Sequence, residues 1–472
     1  MKYRFSIDKL KNKRTPVILL LIVILGLILR LYHLGAASLS ADEILTVFRA
    51  KFSFNELITS LKVHPPLYYI ILRPWVKIFG DSEFAIRFPS LVFSVLTIIF
   101  VFKLAKELFN EKVGLISAFL LSIWPYSINY AQEARPYAIV WCLGVLSFIF
   151  LLKFVKDNKI CSLFSYIITI TVSIYTEYLG FVFFTVLNII FFSFFNKKKQ
   201  SKRWLLGQLA IILLYLPWIK NFLFLVILSR IKPFYPRRNY FIFLVRLFLC
   251  ILGHWEKPIN SIEIVLYIFL IISAFVRIKN VKNKKNIFDF SLSDCLLSAW
   301  VVISIMVFYF IDFYFTPILL PRYLGLIHIP LIILFSKAIS KYSIRIRSTV
   351  IFLLLSISLS LLYPYYKYNL KYNSQDWKGL FEQLRKKAGS NDLIVYVRVG
   401  FVRDYYGKGI KAKSIDKEKL WKIELDKFNY DSIFFVYTLN KFKEYKIPGF
   451  ERYKLQEQIR KHGVGFFRFR KL

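Results

Sequence analysis

Cysteine is scarce in this chain of 472 residues: four, at Cys142, Cys161, Cys250 and Cys295, no two of them in a CxxC pair. That spacing offers neither a disulfide framework nor a cysteine-ligated metal, and the four read as small hydrophobes. Acidic residues are sparse too, 28 Asp and Glu against 67 Lys and Arg, for a formal charge of +39. No nucleic-acid module accompanies that charge, so nucleic acid is not an expected partner. There is no glycine-rich phosphate loop. No internal repeat points to a solenoid or to a transporter built from two like halves.

What is abundant is apolar sequence. Hydrophobic residues make up 57% of the chain and aromatics 19%, and the mean hydropathy is +0.51. Apolar runs recur to about residue 366, long enough to cross a hydrocarbon core of about 30 Å. The first, 16–35, is long and has no small-residue cleavage site after it, so it reads as a span rather than a signal peptide. The expected fold is an α-helical polytopic membrane protein with about 11 transmembrane helices.

The basic head, MKYRFSIDKLKNKR, places the N-terminus in the cytoplasm. Span one then delivers Asp42 and Glu43 to the outer face. Segment 65–80, PPLYYIILRPWVKIFG, is short, opens on Pro-Pro and is interrupted by Arg73, Pro74 and Lys77. An interfacial or re-entrant helix suits it better than a span. Further spans are expected at 88–109, 113–130 and 137–155. The stretch 162–195 is too long for one span and divides at YTEYLG, which leaves Glu177 outside. Others follow at 204–220, 262–278, 295–311, 322–340 and 348–366, with a long amphipathic outer segment over 221–260. Arranged so, every short cytoplasmic turn is basic, as the short Lys/Arg clusters between runs require.

Past 366 the pattern changes. DWKGLFEQLRKKAGSNDLIVYVRV reads as a helix, a turn and a strand, and YDSIFFVYTL and GVGFFRFRKL read as further strands. The expected organisation is a transmembrane domain over 1–366, with a catalytic outer loop at 36–87, followed by a small extracytoplasmic α/β domain over 367–472.

This topology collects polar residues on one face: Asp42, Glu43 and His64 in the first outer loop, Gln132, Glu133, Arg135 and Tyr137 in the second, then Glu177, and later Arg322 with Tyr323. Each has a plain structural explanation. Adjacent acids favour helix starts, His64 suits an interface, Glu177 sits at a hairpin, and Arg322 can snorkel. Arg73, Lys77 and Arg87 read as head-group contacts. Together they suit a different task, because charges are costly near a bilayer. A carboxylate can deprotonate an incoming hydroxyl, and Arg or His can neutralise a phosphate leaving group.

SADEILT, HPPLYYIILRPWVKIFGDSEFAIRFPS and YAQEARPYA, in this order, resemble motifs of the GT-C superfamily of lipid-phosphate-sugar-dependent glycosyltransferases. The likeness is to family 39, the protein O-mannosyltransferases and the aminoarabinose transferase acting on lipid A. It covers roughly the first 190 residues and continues loosely through PRYL and the tail. The resemblance implies that Asp42 is a general base or acceptor-positioning group, with Glu43 its catalytic companion. His64, before Pro-Pro, stands where relatives carry a phosphate- or metal-contacting residue. Arg135, Arg322 and Tyr137 would serve the lipid phosphate, with Gln132, Glu133, Tyr68 and Glu177 in support. A polyprenyl-phosphate sugar would be the donor and a lipid, glycan or protein the acceptor, in an inverting displacement at the extracytoplasmic face. No cofactor is demanded; a divalent metal is compatible with Asp42, Glu43, His64 and Glu133. Two rival readings are a lipid or sugar transporter or flippase without transferase activity, and a non-catalytic assembly partner. Acids in outer loops rather than in broken mid-bilayer helices weigh against the first. The retained Asp-Glu pair, His64 and QEARPY weigh against the second.

Overall fold

The computed structural model describes residues 14–61, 64–195, 198–231, 291–315, 320–323, 325–367, 375–396, 400–416, 430–438, 452–461 and 464–471. Apolar runs become helices because, in lipid, every backbone N–H and C=O must find its partner within its own segment. After α1 (Thr15–Leu31) come three helices of a different kind: α2 (Ala41–Lys51), α3 (Phe54–Ser60) and α4 (Leu67–Phe79). Ser40 and Ser53 start α2 and α3 with complete capping boxes closed by Glu43 and Glu56. The 13 residues of α4 reach about 20 Å, short of a bilayer core. The helix stops at Gly80, whose φ of +79° suits glycine.

The bundle continues with α5 (Glu83–Leu108), α6 (Glu111–Ile123), α7 (Pro125–Ala131), α8 (Tyr137–Asp157), α9 (Ile160–Thr176) and α10 (Leu179–Phe194). Then follow α11 (Lys198–Tyr215), α12 (Ile219–Ile231), α13 (Leu292–Tyr314), α14 (Gly325–Ser340) and α15 (Ile344–Lys367). Among the described residues, five helices are long and apolar enough to cross a membrane, with α11 and α12 counted as one. The pair α6 and α7, bent by 61° at Pro125, makes a sixth. Four shorter apolar helices, α1, α9, α10 and α14, fall where spans are expected. The expected span at 262–278 lies outside the described residues. Between α9 and α10 the chain turns tightly at Gly180, where a Cβ would come within 2.5 Å of the Ile174 backbone.

One helix runs past an expected span end. The sequence reading has the chain leave the membrane at 220 and begin an outer segment there. Instead a short 3-10 turn over Leu216–Trp218 joins α11 to α12 and the helix runs on to Ile231, because the apolar run FLFLVIL continues past 220. The rest of the segment expected over 221–260 lies outside the described residues.

Contacts between turns sort the helix ends onto two faces. On one, Lys112 Nζ donates to the Ser340 carbonyl at 2.6 Å, Arg203 Nη1 to the Asn158 carbonyl at 3.0 Å, and Lys337 pairs with Asp294. The loop that carries α2 to α4, the α7–α8 and α9–α10 turns and residues 320–323 gather on the other.

The tail forms α16 (Trp377–Lys387), β1 (Leu393–Tyr396), α17 (Gly400–Tyr406), β2 (Lys413–Asp416), β3 (Ser432–Thr438), β4 (Tyr453–Lys461) and β5 (Val464–Lys471). The sheet order is β2-β1-β3-β5-β4, with β1 parallel to β2 and β3, and β5 antiparallel to β3 and β4. α16 buries Trp377, Leu380, Phe381 and Leu384, one helical stripe, and stacks Phe381 on Tyr396 at 6.0 Å. The sequence reading omits α17, β2 and β4. β4, YKLQEQIRK, is a polar edge strand and lacks the apolar run that betrays a central one. This unit docks on the first outer loop. The Leu39 N–H donates to Tyr406 Oη at 2.7 Å, Tyr405 Oη donates to the Asp81 carbonyl at 2.6 Å, and the Lys378 N–H donates to Ser38 Oγ at 3.0 Å.

Candidate active site

α2 carries two stripes at i, i+4, i+7 spacing. One, Glu43, Val47 and Ala50, is buried. The other, Asp42, Thr46 and Arg49, runs beside the polar residues of later loops. Asp42 Oδ2 accepts from Arg322 Nη1 at 3.1 Å. Thr46 Oγ1 lies 3.5 Å from Arg135 Nη1. Arg49 Nη1 donates to Tyr69 Oη at 2.9 Å, and its guanidinium lies 5.5 Å from that ring's centre.

Glu43 turns the other way. Its carboxylate accepts from Arg87 Nε at 2.8 Å and Nη2 at 3.0 Å, from the Ser40 N–H at 2.8 Å and from the Ala134 N–H at 2.9 Å. Arg87 spends its remaining donors on the carbonyls of Leu34, Ala37 and Ser38. Glu43, expected as a companion to Asp42, is buried at the junction of α2, α5 and the loop before α8. Arg87 is no head-group contact but fully buried. Successive helix positions stand about 100° apart, so adjacent acids face different surroundings.

That junction also fails the metal expectation. Among the described residues no three of His, Cys, Asp and Glu gather to hold an ion. Of the set Asp42, Glu43, His64 and Glu133, Glu43 already has both oxygens committed. The residues do not fit a metal, and no step below is routed through one.

By holding the Ala134 N–H, Glu43 brings the second loop to Asp42. Arg135 follows at once, its carbonyl accepting from Ser90 Oγ at 3.1 Å and its guanidinium 5.7 Å from the Tyr137 ring. Arg322 rests 5.5 Å from the Tyr323 ring. Gln132 stands behind the site as a brace: its Nε2 donates to the carbonyls of Arg30 and Tyr32, and Tyr365 Oη donates to its Oε1, at 2.8, 2.8 and 2.9 Å. Tyr68 is buried with its ring edge against Tyr69.

The electrostatics follow. Burial favours the neutral form of Asp42, yet Arg135 and Arg322 outweigh it and hold the carboxyl below its ordinary range. With 44% of its side chain exposed, this carboxylate is open to a ligand. Burial, then Arg49 and Arg135, push the His64 imidazole down to about 3, so it is neutral. Burial and the Glu43 charge push Glu133 up to about 7 against the pull of Arg135 and Arg322. Glu177 is raised as well, by burial, and its Oε1 accepts from the Tyr178 N–H at 3.1 Å. The site therefore sets one ionised, accessible carboxylate among three arginines and a neutral histidine.

Sequence reasoning passed over Arg49, Thr46, Tyr405, Tyr406 and Arg30. Arg30 had a signal, a lone charge inside the first apolar run. It is buried and clasps the α6–α7 break, donating to the Leu121 and Ser122 carbonyls at 3.1 and 2.8 Å and to Ser127 Oγ at 3.0 Å.

This arrangement of helices, outer loops and C-terminal sheet is a GT-C fold. It matches ArnT from Cupriavidus metallidurans in the apo state with a TM-score of 0.61 and 13% identity, over 95% of this chain and 97% of that one. It matches the same protein bound to undecaprenyl phosphate at 0.58 and 11%, over 95% and 97%. The Archaeoglobus fulgidus oligosaccharyltransferase tethered to an acceptor peptide matches at 0.52 and 12%, over 91% and 69%. No curated protein sequence matches. The dolichyl-phosphate-mannose-protein mannosyltransferase family matches residues 63–220, which take in His64, the second outer loop and Glu177 but begin after Asp42. The chain is a multi-pass membrane protein with a GT-C fold, similar in fold to ArnT and, over residues 63–220, similar to that mannosyltransferase family.

Proposed function

We propose that the protein moves a sugar from a polyprenyl-phosphate carrier to a lipid, glycan or protein hydroxyl or amine at the extracytoplasmic face, with Asp42 as base. The observation that carries this reading is Asp42 itself: an ionised, accessible carboxylate held at 3.1 Å by Arg322, with Arg135 acting on it as well. The ArnT-like fold, and the undecaprenyl phosphate bound by ArnT, support the carrier.

The charge balance suits the step. A sugar linked through phosphate to a polyprenol carries one negative charge on that phosphate. As the anomeric C–O bond breaks, the departing phosphate gains a second, and Arg135 beside it opposes that growth. Asp42 takes the acceptor's proton while the acceptor atom bonds to the anomeric carbon from the face opposite the phosphate, which inverts the centre. Neutral His64 can donate one N–H to a phosphate oxygen without adding charge. The basic turns on the opposite face read as cytoplasmic, so the N-terminus lies inside and the C-terminal unit outside.

The test uses the full-length protein in nanodiscs with labelled polyprenyl-phosphate sugars and host membrane extract, beside Asp42→Asn. Label should pass from one donor to an acceptor only with the parent protein. Donor left intact across the panel by the parent protein would remove the reading.

A further inference from the structure

We infer that Arg49, fixed by Tyr69, is the seat of the leaving phosphate, and that Arg322 serves Asp42 instead. This rests on the transfer reading above and says where along α2 each part of the reaction takes place.

The argument is one of length. In an in-line displacement the base sits about 3 Å from the acceptor atom, which starts about 3 Å from the anomeric carbon. The phosphorus lies two bonds beyond, so base and phosphate are separated by roughly 8–10 Å with the sugar between them. Arg322 is hydrogen-bonded to Asp42 and stands at the base end. Seven positions further along α2, at about 1.5 Å each, the backbone of Arg49 stands about 10 Å along the helix from that of Asp42, on the same stripe. Between them Thr46 meets Arg135. The stripe thus orders three cations along the reaction axis: Arg322 at the base, Arg135 over the bond that breaks, and Arg49 at the phosphate.

Arg49 is also built for the role. Its side chain is half-buried, and its Nη1 is anchored on Tyr69, a residue 3% exposed and unable to yield. Its other N–H groups make no further hydrogen bond among the described residues, so a planar fork remains for a phosphate. No acidic side chain pairs with Arg49 among the described residues.

The probe is undecaprenyl phosphate, with undecaprenol as its uncharged control, titrated into the full-length protein in nanodiscs of neutral lipid. Arg49→Gln should weaken binding of the phosphate lipid about ten- to hundredfold and leave undecaprenol unchanged. Arg49→Lys should recover part of the loss, as a point charge lacking the fork. Arg322→Gln should leave the phosphate-lipid affinity as it was while turnover falls. Parent-like affinity in Arg49→Gln, or a loss in Arg322→Gln equal to that in Arg49→Gln, overturns the assignment. Should Arg49→Gln melt early, Tyr69→Phe decides: it keeps the charge and frees the side chain, so phosphate-lipid affinity should fall, and no change overturns the assignment. A parent protein that binds both lipids equally removes the carrier reading itself, which is a different failure.

Discussion

Glu43 and Arg87 are joined by two hydrogen bonds, at 2.8 and 3.0 Å, with their side chains 3% and 0% exposed. The pair ties together the loop at 34–38, the start of α2, the second outer loop and α5. Removing one partner leaves the other as a buried, unpaired charge. Glu43→Gln should therefore cost about 3–5 kcal/mol and lower the melting temperature in nanodiscs sharply. A variant that melts with the parent protein would show the pair to be dispensable.

Asp42, one position earlier, should behave in the opposite way. Its carboxylate is open and lies on the other stripe of α2, so Asp42→Asn should melt with the parent protein. Transfer should fall about 10²–10⁴-fold, the usual contribution of a general base. Turnover near the parent rate in a folded Asp42→Asn would remove it as the base.

The ionisation of Asp42 gives a pH test of its partner. The folded pKa lies below the ordinary carboxylate range, so kcat/KM should hold on acidification and fall only beneath that range. Arg322→Gln removes one of the cations responsible and should move this acid limb to higher pH. An unmoved limb would separate Arg322 from the base.

Glu133 predicts stability rather than rate. Its pKa is raised from 4.5 to about 7, so between those values the folded protein keeps a proton that the unfolded chain has lost. Stability contributed at this position falls as pH rises through that window and is level above it. Glu133→Gln abolishes the dependence. Its melting temperature should gain on the parent protein's as pH is raised from about 5 to about 7.

Tyr406→Phe keeps the ring and deletes the hydroxyl that accepts from the Leu39 N–H and donates to Glu83 Oε1 at 3.2 Å. The loss should be about 1 kcal/mol in stability. Turnover should drop more than donor affinity does, because the loosened Leu39 lies three positions before Asp42 and ten before Arg49. Equal losses in both would mark a general weakening of the fold.

Much of the bundle is legible in the chain because a bilayer imposes one rule on every span. Runs such as PVILLLIVILGLIL and YAIVWCLGVLSFIFLL announce helices, and the lysines at 103, 106, 112, 153, 156 and 159 mark turns that share a face. The helix that continues past 220 was not foreseen, because span length alone does not end a helix whose apolar run continues. The site was half legible. Asp42, His64, Arg135 and Arg322 are polar residues at helix edges, where such residues stand out. Glu43 and Arg87 belong to different segments, and no local spacing reveals that they meet. Arg49 hides because an arginine seven positions after an aspartate signals nothing until the helix direction and the sugar's length are known.

The docking of Tyr405 and Tyr406 onto the first outer loop has a consequence for biosynthesis. Leu39 and Tyr406 are separated by 367 positions, so the loop that carries Asp42 is made long before its brace. Until then the helix that carries Asp42 lacks one of its anchors.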